Sequence, residues 1–125
     1  MNVKKIASVL LVLMLSVAFV FANGSKEASS SSSNTLKVAM ECGYAPYNWT
    51  QTTDANGAVK ISGSTEYAYG YDVMMAKKLC EANGWTLEIK QLDWDSLVPA
   101  VQTGEIDCAI AGQSMTADRA EQVDF

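Results

Sequence analysis

From Leu36 to the end of the chain the hydrophobic residues switch repeatedly between the period of a strand and the period of a helix. Few folds accept that alternation. "LKVAM" (Leu36 to Met40) is a short apolar strand, and Gly70 to Asn83 follows with helical spacing. In that helix Val73, Ala76 and Cys80 form one stripe with Met75, Leu79 and Ala82 beside it, and Gly84 is placed to take the left-handed conformation that ends a helix. "WTLEIKQL" sets Trp85, Leu87 and Ile89 against Thr86, Glu88 and Lys90, the alternation of a strand with one wet face at a sheet edge. Asp95 or Ser96 is a candidate N-cap for a second helix, with Pro99 in its first turn and Gly104 at its end. "IDCAIA" (Ile106 to Ala111) is apolar enough for a central strand. Strand, helix, strand, helix, strand at this spacing predicts an α/β layer fold with a parallel three-strand βαβαβ core and right-handed crossovers. Asn56-Gly57, a pair that favours positive φ, adds a β-hairpin insertion after the first strand.

Ligands of open parallel sheets sit at the carboxyl ends of the strands, and the distinctive residues of this sequence fall there. Glu41 and Tyr44 follow the first strand, Asp93 and Trp94 the second, and Gly112, Gln113, Ser114, Thr116 and Arg119 the third. Arg119 is the only arginine in the chain. Its guanidinium offers a planar fork of donors that fits a carboxylate in bidentate fashion, which lysine cannot do. Thr116 reads as the N-cap of a short last helix with Arg119 in its first turn, and Ser114 adds a hydroxyl. Tyr44 and Trp94 offer apolar walls, and Glu41 an acceptor. The competing account makes Arg119 a surface partner of Asp118 or Glu121, and the two aromatics ordinary core residues. Convergence on one rim favours a binding site.

Residues 1 to 22 stand apart from this pattern. Lys4 and Lys5 precede an apolar run from Ile6 to Ala22 that ends in small residues, the arrangement of a secretory signal; a retained membrane anchor is the competing reading. Residues 23 to 34, "NGSKEASSSSSN", form a serine-rich flexible linker, leaving 35 to 125 for the folded part. The expected mature start, Asn23, is not cysteine, so lipidation is not expected. Removal of the signal leaves seven cationic against 14 acidic residues, a balance that excludes a nucleic-acid binder. Cys42, Cys80 and Cys108 are expected as reduced, largely buried thiols without a structural disulfide. The chain has no histidine, which removes Ser-His and Cys-His pairs and histidine metal sites. "GQSMT" only half-matches a nucleophile elbow, and three scattered cysteines make a poor zinc set. No catalytic residue, metal or cofactor is therefore expected. The sequon at Asn48-Trp49-Thr50 is taken as chance.

"GYDVMMAKKLCEAN" (Gly70 to Asn83) and "LDWDSLVPAVQTGEIDCAIAGQSMTADRAEQVDF" resemble the bacterial extracellular solute-binding proteins of family 3, the polar amino-acid receptors of ABC importers. The resemblance runs from about Leu36 to the end of the chain. Met74 departs from it, standing where the family usually carries an acid, on what should be the exposed side of the helix; the segment from Thr50 to Tyr69 is longer than the family's usual hairpin. The resemblance implies a periplasmic-binding-protein-like (type II) lobe, a free polar L-amino acid as ligand, a membrane permease as partner and a periplasmic location. Carried over by residue, it makes Arg119 the clamp for the ligand α-carboxylate, assisted by Ser114, and Gly112 a carbonyl for the ligand ammonium. Tyr44 and Trp94 become the aromatic walls, and Glu41 the acidic contact with the ligand's polar end. Family members continue past the position of "VDF" into a hinge and a second lobe, so the chain is expected to be an incomplete first lobe with the second lobe absent. The same receptor fold carries cyclohexadienyl and arogenate dehydratases, which is the enzyme alternative; an exported interaction module without a ligand is the other.

Overall fold

The computed structural model describes residues 34 to 125; the expected signal at 1 to 22 and residues 23 to 33 of the linker lie outside the described residues. Two sheets organise the described residues. The first is parallel, with β1 (Thr35–Met40) between β6 (Thr86–Gln91) and β7 (Cys108–Ala109). The second is antiparallel, in the order β2 (Gly43–Tyr44), β3 (Asn48–Gln51), β5 (Tyr67–Tyr69) and β4 (Val59–Lys60). Helix α1 (Tyr71–Asn83) connects β5 to β6, helix α2 (Leu97–Gln102) connects β6 to β7, and the one-turn helix α3 (Ala117–Ala120) follows β7.

The α/β core is the one the alternation predicts, with β1 pairing both β6 and β7 in parallel. The strand order differs. Sequence reasoning places "IDCAIA" in the centre, but β1 is central and β7 lies beside it as a two-residue strand. The apolar character of that segment serves packing instead: Ile106 is buried, and Cys108, Ala109 and Ile110 lie against the core. Pairing begins just before β7, where the Asp107 carboxylate accepts from the Lys37 N–H at 2.7 Å and the Asp107 N–H donates to the Lys37 carbonyl at 3.0 Å. β6 is an edge within the parallel sheet, yet its outer side is not bare. Ile61 bridges Ile89, and the Ser62 N–H donates to the Ile89 carbonyl at 2.8 Å, so the inserted segment shields part of the edge.

Asn56 and Gly57 do adopt positive φ, 60° and 79°. The strands on either side of them do not pair with each other, however, because both β3 and β4 pair with β5. The insertion is thus a four-stranded sheet rather than one hairpin. In α1 the stripe Val73, Ala76 and Cys80 is buried, and Gly84 closes the helix at φ 68°. Met75 and Leu79 are exposed instead of flanking the core, and Met74 is half-buried rather than exposed. Neither Asp95 nor Ser96 caps α2 with its side chain; a 3-10 turn at Trp94–Ser96 leads in, held by the Ser96 N–H on the Asp93 carbonyl at 2.9 Å. Met40, Ile61, Ile89, Leu97 and Ile106 are fully buried where the helices and insertion meet the sheet. Burying such side chains contributes about 1.5–3 kcal/mol each before entropy is charged, and that core holds the rim of loops at the carboxyl ends of β1, β6 and β7.

Candidate functional site

Glu41, Tyr44, Trp94, Gly112, Ser114 and Arg119 line one open cleft of about 340 Å³. These are the six residues to which the family resemblance gives a role; Asp93, Gln113 and Thr116, also placed on the rim from the sequence, do not line this cleft. Parallel pairing explains how the six meet: chain leaving β1, β6 and β7 leaves on the same side of the sheet, so segments far apart in sequence share one rim.

Arg119 is half-buried in the first turns after the Thr116 cap, whose hydroxyl accepts the Arg119 N–H at 3.3 Å. Nη1 donates to the Ser114 carbonyl at 2.8 Å, and the guanidinium carbon lies 5.2 Å from the centre of the Trp94 ring. Ser114 therefore meets Arg119 through its carbonyl, not its hydroxyl. Among the described residues the ion pair is Lys90–Glu105, and neither Asp118 nor Glu121 takes Arg119. The surface-pair account of this arginine is thus not what the structure contains. One bond to a carbonyl orients the fork and leaves its other N–H groups for an anion.

Tyr44 adds an aromatic part to the lining. Tyr44 stacks on Tyr47 with ring centres 4.9 Å apart, and Tyr47 meets Tyr71 edge-on at 6.4 Å, so Tyr44 is braced from behind. Gly112, at φ 62°, lies close under the Tyr44 ring: a Cβ there would stand 3.1 Å from Tyr44 Cε1. Glycine suits that position, since side chains disfavour its backbone angle and a Cβ would push the ring aside by a few tenths of an ångström. Glu41 is half-buried, and its carbonyl accepts from Gln91 Nε2 at 3.0 Å. It also lines a second cleft of about 430 Å³, which takes in Asp93. Gln113 faces away from both, into a groove with the last residues of the chain.

Sequence reasoning missed the buried polar support behind this lining. Asn48 is fully buried and Asp72 nearly so, and they hydrogen-bond at 2.8 Å from Asn48 Nδ2 to Asp72 Oδ2. The only sequence signal at Asn48 was the sequon, and with its amide buried and bonded the residue has no room for a glycan.

Cys42, Cys80 and Cys108 are free thiols. Burial, with a smaller contribution from the Glu66 charge, pushes Cys42 up to about 11 from its ordinary 9.0. Burial likewise raises Cys80, and burial followed by Asp107 and Cys80 raises Cys108. Thiols held protonated at neutral pH are poor nucleophiles. Among the described residues no group of three or more Cys, Asp or Glu side chains is arranged to hold a metal ion. A pH consequence follows from Cys42. Above 9.0 the unfolded thiol loses its proton while the folded one keeps it until about 11, so the unfolded state binds fewer protons and stability falls over that window. Thermal melts between pH 8 and pH 11 are expected to show a falling midpoint whose slope Cys42→Ala reduces, the raised Cys80 and Cys108 thiols supplying part of the remainder; an equal slope in the variant would refute the assignment.

The profile of the bacterial extracellular solute-binding proteins, family 3, matches residues 36–125. The "Probable histidine-binding protein" of Neisseria gonorrhoeae is 30% identical over 129 residues, which cover all of this chain and 43% of that protein. Among solved structures, an ancestral arginine-binding protein bound to arginine is 34% identical with a TM-score of 0.60, over 74% of this chain and 35% of that one. The ancestral amino-acid-binding protein AncCDT-1, described as a precursor of cyclohexadienyl dehydratase, is 30% identical with a TM-score of 0.60, over 74% and 36%. The chain thus spans about two fifths of the first of these proteins and about a third of the other two.

Proposed function

Since the chain belongs to the bacterial extracellular solute-binding proteins, family 3, we propose that its cleft captures a polar L-amino acid for an ABC importer. The observation that carries this reading is the guanidinium of Arg119, fixed by the Ser114 carbonyl, free of any carboxylate among the described residues, set over Trp94 and sharing its cleft with Tyr44. The ligand α-carboxylate accepts the fork of Arg119, and the Gly112 carbonyl accepts from the α-ammonium. The Tyr44 and Trp94 rings cover the apolar part of the side chain. Glu41 takes its polar end, which favours side chains that donate hydrogen bonds, and relatives named for histidine and arginine point the same way. In this reading residues 1 to 22 export the chain to the periplasm, and a membrane permease receives the ligand.

The chemistry favours capture over catalysis. Enzymes of the dehydratase type need a positioned acid and base, whereas the cleft presents an anion-binding guanidinium beside aromatic rings, and relatives are named for binding histidine or arginine. Calorimetric titration with each of the standard L-amino acids is the test. Binding of L-arginine or L-histidine, with none for aliphatic residues, is expected. Failure of all of them, together with turnover of a cyclic acid such as arogenate, would overturn the reading in favour of an enzyme. Glu41→Gln should weaken L-arginine more than L-glutamine, since the variant loses an ion pair with the guanidinium but only the charge assistance of a hydrogen bond with the amide. Equal losses for both ligands would refute the role of Glu41.

A further inference from the structure

We propose that the buried pair Asn48 and Asp72 is a positioning device that sets Glu41 and Tyr44 at the cleft; the consequence for ligand affinity rests on the function proposed above.

The peptide between Glu41 and Cys42 is held from both sides. Its carbonyl accepts from Gln91 Nε2 at 3.0 Å, and its N–H donates to Asn48 Oδ1 at 2.8 Å. Directly after it, Cys42 sits at φ 57°, a left-handed angle that side chains disfavour, and this turn sends the chain into the β2 segment that carries Tyr44. A disfavoured angle persists where surrounding contacts hold it. Here the contact is the Asn48 side chain, itself held by Asp72 Oδ2 at 2.8 Å. The far end of the same loop is tied to the start of α1: the Tyr71 N–H donates to the Pro46 carbonyl at 3.1 Å and the Asp72 N–H to the Tyr47 carbonyl at 2.8 Å. Those are N–H groups a helix start leaves without intrahelical acceptors, so helix and loop satisfy one another. Asn48 thus spans the loop and Asp72 anchors it to a rigid element, while neither lines the cleft. A polar pair this deeply buried, with every buried polar side-chain atom among the described residues satisfied, specifies one arrangement of the loop.

The direction of the Asn48–Asp72 bond supplies the test. Asn48→Asp keeps an acceptor for Cys42 but removes the donor and sets two carboxylates together. Asp72→Asn keeps an acceptor for Asn48. In the double variant N48D/D72N the amide at 72 donates to the carboxylate at 48, restoring the chain of bonds with its donor reversed. Two readouts are taken on the whole chain at a temperature well below its melt. The first is the Gly112 NMR resonance, which the adjacent Tyr44 ring shifts by its ring current, with no ligand present. The second is calorimetric affinity for L-arginine. Asn48→Asp is expected to displace the Gly112 resonance and weaken L-arginine by about tenfold or more, as loss of a hydrogen bond to a charged group implies. Asp72→Asn and the double variant are expected to stay close to wild type in both. A folded Asn48→Asp with wild-type resonance and affinity overturns the proposal, as does a double variant no better than the single one. Where Asn48→Asp does not fold, the double variant decides alone: wild-type readouts support the device, and an unfolded or displaced double variant overturns it. Failure of wild type to bind L-arginine or any other amino acid counts against the proposed function only, because the Gly112 resonance still reports the position of Tyr44.

Discussion

Gly70→Ala is expected to lower stability by roughly 3 kcal/mol or more, the range reached when backbone strain and a steric clash coincide. Gly70 precedes α1 with φ 130° and ψ −176°, a region open in practice only to glycine. A Cβ there would lie 2.3 Å from the Tyr47 carbonyl oxygen, 2.7 Å from its carbon and 3.0 Å from the Asn48 nitrogen, all backbone atoms that cannot swing aside. Relief requires moving either the loop or the helix start. Movement of either breaks the Tyr71-to-Pro46 and Asp72-to-Tyr47 bonds. Gly84→Ala is the matched control: φ is 68°, but nothing lies within 4 Å, so the cost is confined to the left-handed angle, about 1–2 kcal/mol. Urea denaturation of both variants checks the claim. Equal midpoints for the two would show that the close approach to Tyr47 carries no energy.

Arg119→Lys is expected to weaken amino-acid binding by about 10- to 100-fold, the equivalent of about 1.5–3 kcal/mol for a hydrogen bond to a charged group. Lysine keeps the charge but presents a point donor in place of a fork. It also gives up the 2.8 Å bond to the Ser114 carbonyl and the place of the guanidinium over Trp94 that aim the group. The thermal midpoint of the free protein should move little, because Arg119 lies outside the buried core and has no carboxylate partner among the described residues. Affinity measured by calorimetry together with a melt of the free protein separates the two effects. An unchanged affinity would remove Arg119 from the role of carboxylate clamp, and a collapse of the melt would make it a structural residue.

The alternation of periods and the punctuation by Gly84, Gly104 and Thr116 were legible because each depends on residues within a turn or two of one another. Once the core is read as parallel, the rim follows, since all three strands must discharge on one side. Position after a strand therefore gathered Asp93, Gln113 and Thr116 together with Glu41, Tyr44, Trp94, Gly112, Ser114 and Arg119, and the family resemblance narrowed these to the six that share the cleft. Lateral order was another matter. The apolar run at 106 to 111 suits a central strand or a strand packed under a helix equally well, and composition does not separate the two.

What the sequence determined by itself is thus local: which segments are strands, which are helices, where they stop, and which chemistry stands at their carboxyl ends. What only the tertiary structure decided is which distant segments meet. It put β1 in the centre, set β3 and β4 on either side of β5, and left Met75 and Leu79 in solvent on a helix face whose buried stripe is narrow. It also joined Asn48 to Asp72, two polar residues 24 positions apart that no periodic pattern marks. The physical reason is that periodicity records the backbone's own geometry, whereas a buried polar group is tolerable only when its partner arrives from elsewhere in the chain, and that arrival is a property of the packed molecule.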